Sequence, residues 1–325
     1  MRVLREAVRY AYAPFMMFGL TGAAYWVVAN GHSYFWLAPL LAIAYATAFA
    51  AERIAPFFEE WNDHAAHGDT PTNVLHVMAY EMSSINGVLL IPVICWLFPF
   101  HGLWPTQSPM WAQVLLAFVI ADFAFMMMHY LSHRFAPLWR LHAVHHSDTE
   151  VDFTTTYRNH PLELYVNAPL TIPVILLLGF PAEVVAAYQL LKTSISVFAH
   201  SNVRLPAGLD RALRFVVITP DFHRLHHCSE KLYTDSNFSA AFPIYDYLFG
   251  TAKSRPYHEQ ETMQLGLEYF RDPVDGRLDR LLLMPFVWRS REQTRTSARP
   301  IPAELGVERR DKPRSACAVV GEGEL

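Results

Sequence analysis

Trp111-Ala-Gln-Val-Leu-Leu-Ala-Phe-Val-Ile-Ala-Asp122-Phe-Ala-Phe-Met-Met-Met-His129-Tyr-Leu-Ser-His133 is the stretch that decides the fold. An apolar helix of about 20 residues, rising 1.5 Å per residue, crosses a hydrocarbon core about 30 Å thick. This run has nearly that length, and it leads directly into His129 and His133. On a helix, residues at i and i+4 point the same way, so these two imidazoles can share one ion. A single helix thus predicts both a membrane span and a pair of metal ligands at its end.

The chain around it repeats both features. Pro14 to Asn30, Tyr34 to Ala51 and Ile85 to Phe100 are further apolar runs. Leu162 to Phe180 and Ala182 to Ala199 form a predicted hairpin about Gly179-Phe180-Pro181, spanning or re-entrant, with Pro169, Pro173 and Lys192 inside it. The 325 residues are 52% hydrophobic and 17% charged, against roughly 25% charged in soluble domains. The expectation is an all-α integral membrane bundle of four to six apolar helices. A net charge of -4 gives no reason to expect nucleic acid as a partner. Cys95, Cys228 and Cys317 show neither C-x-x-C nor a pairing pattern, which argues against a disulfide framework or thiolate site.

Lys and Arg set the orientation. Arg2, Arg5 and Arg9 precede the first run, Arg53 follows the second, and Arg134 and Arg140 follow the fourth; the loops 31–33 and 101–110 have neither residue. The positive-inside rule then places the N-terminus, the loop 52–84, the histidine groups and the C-terminus in the cytoplasm. Residues 289–325 are charged and lack apolar periodicity, and read as a disordered cytoplasmic tail. One domain over 1–288 is expected, ending in a histidine-rich helical cap.

Two more histidine groups follow the first: His142-Ala-Val-His145-His146 and His223-Arg-Leu-His226-His227. Neutral imidazole is the commonest protein metal ligand. Eight of them exceed the four ligands of a structural zinc site, so two ions are expected. Adjacent rings of a helical doublet diverge by about 100° and could reach different metals. Pro220 suits the first turn of a helix carrying the third group. Asp122 lies two turns before His129, either to hold a ligand imidazole or as a polar contact between membrane helices. His64, His67 and His76 are loosely spaced and read as solvated; His32, His101 and His258 stand alone.

The order of these groups resembles the fatty acid hydroxylase/sterol desaturase superfamily. The resemblance covers Ala117 to Thr251 and includes Arg158-Asn-His-Pro-Leu-Glu163, His200-Ser-Asn202, Thr219 to His227, Asn237, and Asp246-Tyr-Leu-Phe-Gly-Thr251. Tyr130 stands where the family usually has a basic residue, and Tyr245 where it has Trp. The resemblance implies a non-haem di-iron oxidase that uses O2 to hydroxylate or desaturate an unactivated C–H position of a lipid, a sterol or fatty acyl chain for example. The implied metal ligands are His129, His133, His142, His145, His146, His200, His223, His226 and His227. His160, Asn202, Asn237 and Asp246 join Asp122 as candidates to support them. Sequence alone does not choose among iron, zinc and copper; two irons come from the resemblance, with zinc as a substitute on purification. No dinucleotide, haem or ferredoxin motif is present, so a separate ferredoxin or cytochrome with its reductase is expected to supply electrons. The competing readings are a histidine-rich membrane metal-binding or transport protein and a zinc hydrolase. A transporter should spread polar residues through several spans, and a zinc hydrolase of the H-E-x-x-H type lacks its motif here.

Overall fold

The computed structural model describes residues 1–33, 36–62, 71–79, 82 and 102–288. The third apolar run, His64, His67, His101 and the C-terminal tail lie outside them. The described residues are helical apart from loops and two isolated bridges. Among the described residues three helices are long and apolar enough to span a membrane: α1 (Arg2–Ala29), α2 (Leu37–Ile54) and α3 (Met110–Arg134). Only 44%, 22% and 39% of their apolar windows is buried. Trp26, Phe49, Trp111 and Leu115 point outward, as a lipid-facing surface requires.

α1 begins earlier than the apolar run, at Arg2. Arg5 pairs with Glu59 and donates to the Ile54 carbonyl, and Arg9 donates to the Arg204 carbonyl. Pro14 lies within α1 and has no N–H to give. The turn after it, Phe15–Gly19, is a π-helix, which absorbs the mismatch.

The sequence hairpin is realised as α5 (Pro161–Leu178) and α6 (Ala182–His200), with α4 (Ala136–His146) before them. Gly179 reverses the chain with φ 69°, a left-handed conformation that glycine adopts without steric cost. A Cβ there would also meet the Gly102 backbone at 2.8 Å. α6 is the central helix. It packs on α1, α2, α3 and the 3₁₀ turn Phe153–Tyr157. Ala44, Ala48 and Ala51 of α2 are buried beside Tyr12, Met16, Phe118 and Phe198; small residues at this spacing let helices approach closely.

The chain turns between α3 and α4 at Phe135 alone, whose backbone is extended. Pro137 sits in the first turn of α4, where its missing N–H costs nothing. Glu52, buried at the end of α2, accepts from the N–H groups of Phe153 and Asn202. It ties the second span to both flanks of α6. These ties hold the histidine-bearing ends of α3, α4 and α6 at one end of the bundle.

Candidate metal centre

The third histidine group occupies α7 (Pro220–His226). Thr219 caps it by accepting from the Phe222 N–H, and Pro220 opens it. Beyond it come α8 (Lys231–Thr234) and α9 (Ile244–Phe249). The ends of α3, α4, α6 and α7 converge, and nine imidazoles meet in two adjacent sets. His129, His133, His142, His146 and His226 form one; His145, His200, His223 and His227 form the other. Within each set the ligand atoms lie within 4.8 Å of one another. The doublets divide between them. His146 and His226 join the first set, His145 and His227 the second, as the 100° divergence of neighbouring rings allows.

Four of the five outward nitrogens of the first set have partners. His129 Nδ1–H donates to the Phe238 carbonyl at 2.6 Å, and His226 Nδ1–H to the Ser236 carbonyl at 2.6 Å. His142 Nδ1 lies 2.8 Å from Glu163 Oε1, and His133 Nδ1 lies 3.4 Å from Asp235 Oδ1. In the second set His200 Nδ1–H donates to the Ser196 carbonyl at 2.8 Å. The Nδ1 atoms of His145, His223 and His227 are buried without a hydrogen-bond partner among the described residues.

These bonds test whether a cation fits. A carbonyl can only accept, so His129 and His226 carry their protons on Nδ1. Their Nε2 lone pairs then face each other at 3.0 Å with no proton between them. Nε2 of His133, His142 and His146 is likewise buried and unpartnered. In the second set His200 Nε2 lies 2.9 Å from His223 Nε2 and 3.2 Å from His145 Nε2. Buried lone pairs crowded together are unfavourable unless a cation accepts them. Burial, followed by neighbouring imidazoles, pushes His145, His146, His223 and His227 well below the ordinary imidazole pKa, and His226 down to about 3. Neutral imidazole is the form that binds metal. The residues therefore fit one metal ion per set.

The support around the rings differs from the sequence reading. Glu163 and Asp235, the two carboxylates that reach imidazoles, were not singled out. Glu163 was visible in the His-Pro-Leu-Glu segment, in the first turn of α5. Asp235 follows the short α8 and has no comparable local signal. Asp122 accepts from the Phe242 N–H at 2.8 Å and touches no imidazole. Asp246 accepts from the N–H groups of Phe238 and Ser239 and from the Thr251 hydroxyl. It therefore holds the loop whose Phe238 carbonyl meets His129. Asn237, at φ 55°, donates to the Phe222 and Lys253 carbonyls. Asn202 fastens residue 58 through its side chain. His160 accepts from the Leu162 N–H, and its Nε2 donates to the Leu282 carbonyl. Both its nitrogens serve backbone, and it joins neither set.

His76 overturns the solvated reading: it is fully buried, and its Nδ1–H donates to the Asn159 carbonyl at 3.2 Å. Nearby, Arg158 donates to Asn73 and pairs with Asp148 at 3.3 Å, all buried, which fixes the chain just after the second histidine group. Of the two family departures, the Tyr245 hydroxyl donates to the Val119 carbonyl of α3 at 2.6 Å. Tyr130 packs edge-on to Phe238, with Arg134 over its ring.

A cavity of about 80 Å³ opens onto both sets. His129, His142, His145, His200 and His223 share its wall with Phe125, Leu164, Lys192 and Ser196. A carbon held there would face nitrogen atoms of both sets, beside Phe125 and residues of α6.

A family model for fatty acid hydroxylase matches residues 114–251. The chain is 29% identical to ornithine lipid hydroxylase OlsE of Rhizobium tropici, over 73% of each protein. It is 27% identical to human alkylglycerol monooxygenase over 47% of the chain, and spans 32% of that protein. It is 32% identical to methylsterol monooxygenase 2-2 of Arabidopsis thaliana, over 49% of the chain and 59% of that protein. No solved structure matches the chain.

Proposed function

From a chain that belongs, through residues 114–251, to the fatty acid hydroxylase/sterol desaturase superfamily, we propose a membrane-bound, O2-dependent di-iron oxidoreductase that hydroxylates a lipid. The observation that carries the reading is the convergence of nine buried imidazoles into two facing sets. The matched relatives are named as a lipid hydroxylase and as monooxygenases, which supports oxidation of a lipid C–H position over metal transport. Hydroxylation is preferred to desaturation because those three names describe oxygen insertion.

The five-histidine set and the four-histidine set each hold one iron in this reading. Two irons there would supply the dioxygen activation that an unactivated C–H bond requires. The protein contributes the rest. Glu163 and Asp235 keep His142 and His133 in the tautomer that offers Nε2 inward, and raise the basicity of those rings. The Phe238 and Ser236 carbonyls do the same for His129 and His226. Burial excludes water, which limits side reactions of the activated oxidant. The apolar spans bring the site beside acyl chains, so a lipid enters from the bilayer with its reacting carbon in the small cavity between α3 and α6. The spans make the protein multi-pass, with the site facing the cytoplasm by the basic-residue rule. Electrons come from a separate ferredoxin or cytochrome with its reductase.

The test is lipid analysis of host cells with and without the chain, grown under ¹⁸O2. The expected product is a lipid that gains one labelled oxygen. A lipid that loses two hydrogens without gaining label would make the chain a desaturase. No lipid change in iron-replete cells, together with metal movement into proteoliposomes, would sink the oxidase reading.

A further inference from the structure

A second cavity, of about 710 Å³, lies on the other side of α3. It shares no wall residue with the cavity at the histidines. Its wall changes character along α3. Met126 and Met127 line one end; Arg134 comes eight residues later, about 12 Å along the helix. Lys231, Lys253 and Phe249 complete the wall, and Lys231 and Arg134 both lie close enough to Asp235 to act on its charge. The three cations are exposed and form no ion pair among the described residues. The one carboxylate in the wall, Asp235, lies 3.4 Å from His133 Nδ1 and also attracts Lys231 and Arg134, so three cations face one anion.

The apolar end continues onto an outward ledge. Leu248 is 73% exposed and Phe249 54%. Phe249 stacks on Phe123 of α3, with ring centroids 6.2 Å apart. Phe123 belongs to the same outward face of α3 as Leu115 and Val119. An uninterrupted apolar surface therefore runs from the face of a candidate span to a cluster of three cations. The polarity matches that of an anionic phospholipid, with chains on the bilayer side and charge at the surface.

We propose that this cavity binds the anionic headgroup of a bilayer phospholipid, whose chains lie over Phe249, Leu248 and the outward face of α3. The site is separate from the oxidation site and needs no iron. It rests on the membrane placement of α3, one element of the proposed function.

The full chain, purified in maltoside micelles, is titrated with dioctanoyl phosphatidylglycerol, dioctanoyl phosphatidylcholine or inorganic phosphate, and bound lipid is counted by native mass spectrometry. Phosphatidylglycerol is expected to bind at least about 10-fold more tightly than phosphatidylcholine, because its net negative headgroup is attracted by the three cations. Replacing Arg134, Lys231 and Lys253 together by Gln should level the two lipids. Lys231→Arg with Lys253→Arg should keep the preference, which separates lost charge from lost fold. Equal binding of both lipids by the unaltered protein overturns the proposal, and so does an unchanged preference in the triple variant. Inorganic phosphate that displaces phosphatidylglycerol at equal concentration also overturns it, and makes the site one for a free anion. Alkaline extraction of the host membranes checks the placement separately. Release of the chain there would refute the membrane reading; retention together with equal lipid binding would refute only the headgroup site.

Discussion

The two histidine sets use the same side chain and differ in what stands behind it. Four of the five rings in the first set have an outer partner: two carboxylates, Glu163 and Asp235, and the carbonyls of Phe238 and Ser236. In the second set, among the described residues, only His200 has one, the Ser196 carbonyl. An outer acceptor fixes the tautomer, orients the ring and makes the inner nitrogen more basic, and its loss typically costs 10–100-fold in metal affinity. An ion in the first set would therefore be held more tightly than one in the second, which offers one imidazole fewer. A chelator titration followed by metal analysis should remove one ion well before the other. If both leave together, the difference in ring support has no thermodynamic consequence.

The largest effect should come from the rings themselves. His226→Ala and His223→Ala, one from each set, should each abolish turnover, because residues that act as a unit fail as a unit. Their metal contents should separate the sets. Loss of about one iron of two in each variant means independent sets, and loss of both means a single coupled centre. Normal turnover at normal protein level in either variant would break the assignment of nine ligands.

Glu163→Gln and Asp235→Asn come next. Each should weaken metal binding to the first set by roughly 10–100-fold and leave the second set loaded. His160→Ala is the control from the same segment. It should lower the melting temperature without changing metal content, because both its nitrogens serve backbone atoms.

A smaller effect is expected from pH in the metal-free protein. His226 is held at about 3 in the folded state, below its ordinary 6.5, and His145, His146, His223 and His227 shift in the same direction. The unfolded chain then binds more protons between those values, so acid favours unfolding. Stability contributed by these rings is complete above about pH 6.5 and is lost as pH falls toward 3. Melting temperature of the apoprotein should drop between pH 7 and pH 5. A rise over that interval would mean that the rings are not held neutral. The smallest effect belongs to His258→Ala. That side chain is 80% exposed and outside both sets, and its loss should leave turnover and metal content unchanged.

Much of this was legible in the chain, and the illegible part has a pattern. The run from Trp111 to His133 carries its own evidence, because a bilayer demands one continuous apolar helix. α3 accordingly covers Met110–Arg134. The three histidine groups are local in sequence, and each helical spacing states which rings can point together. His76 misled because burial is not local. A loop histidine reads as solvated until Asn159 is seen accepting from it. Asp122 was open for the same reason. Its position two turns before His129 allowed a ring contact or a polar contact between membrane helices, and Phe242, 120 residues away, supplies its hydrogen bond.

By itself, then, the sequence determined an all-helical membrane-type chain, offered nine histidines as candidate ligands, and allowed the two rings of each doublet to diverge by the helix repeat. Tertiary structure decided that four helix ends meet, which rings share a set, and that Glu163, Asp235 and two backbone carbonyls stand behind one set while the other has a single carbonyl. The physical reason is range. Helix periodicity and apolar length act over a few turns and are written in adjacent residues. A hydrogen bond such as that of His129 to Phe238, 109 residues apart, exists only once packing has closed the chain on itself.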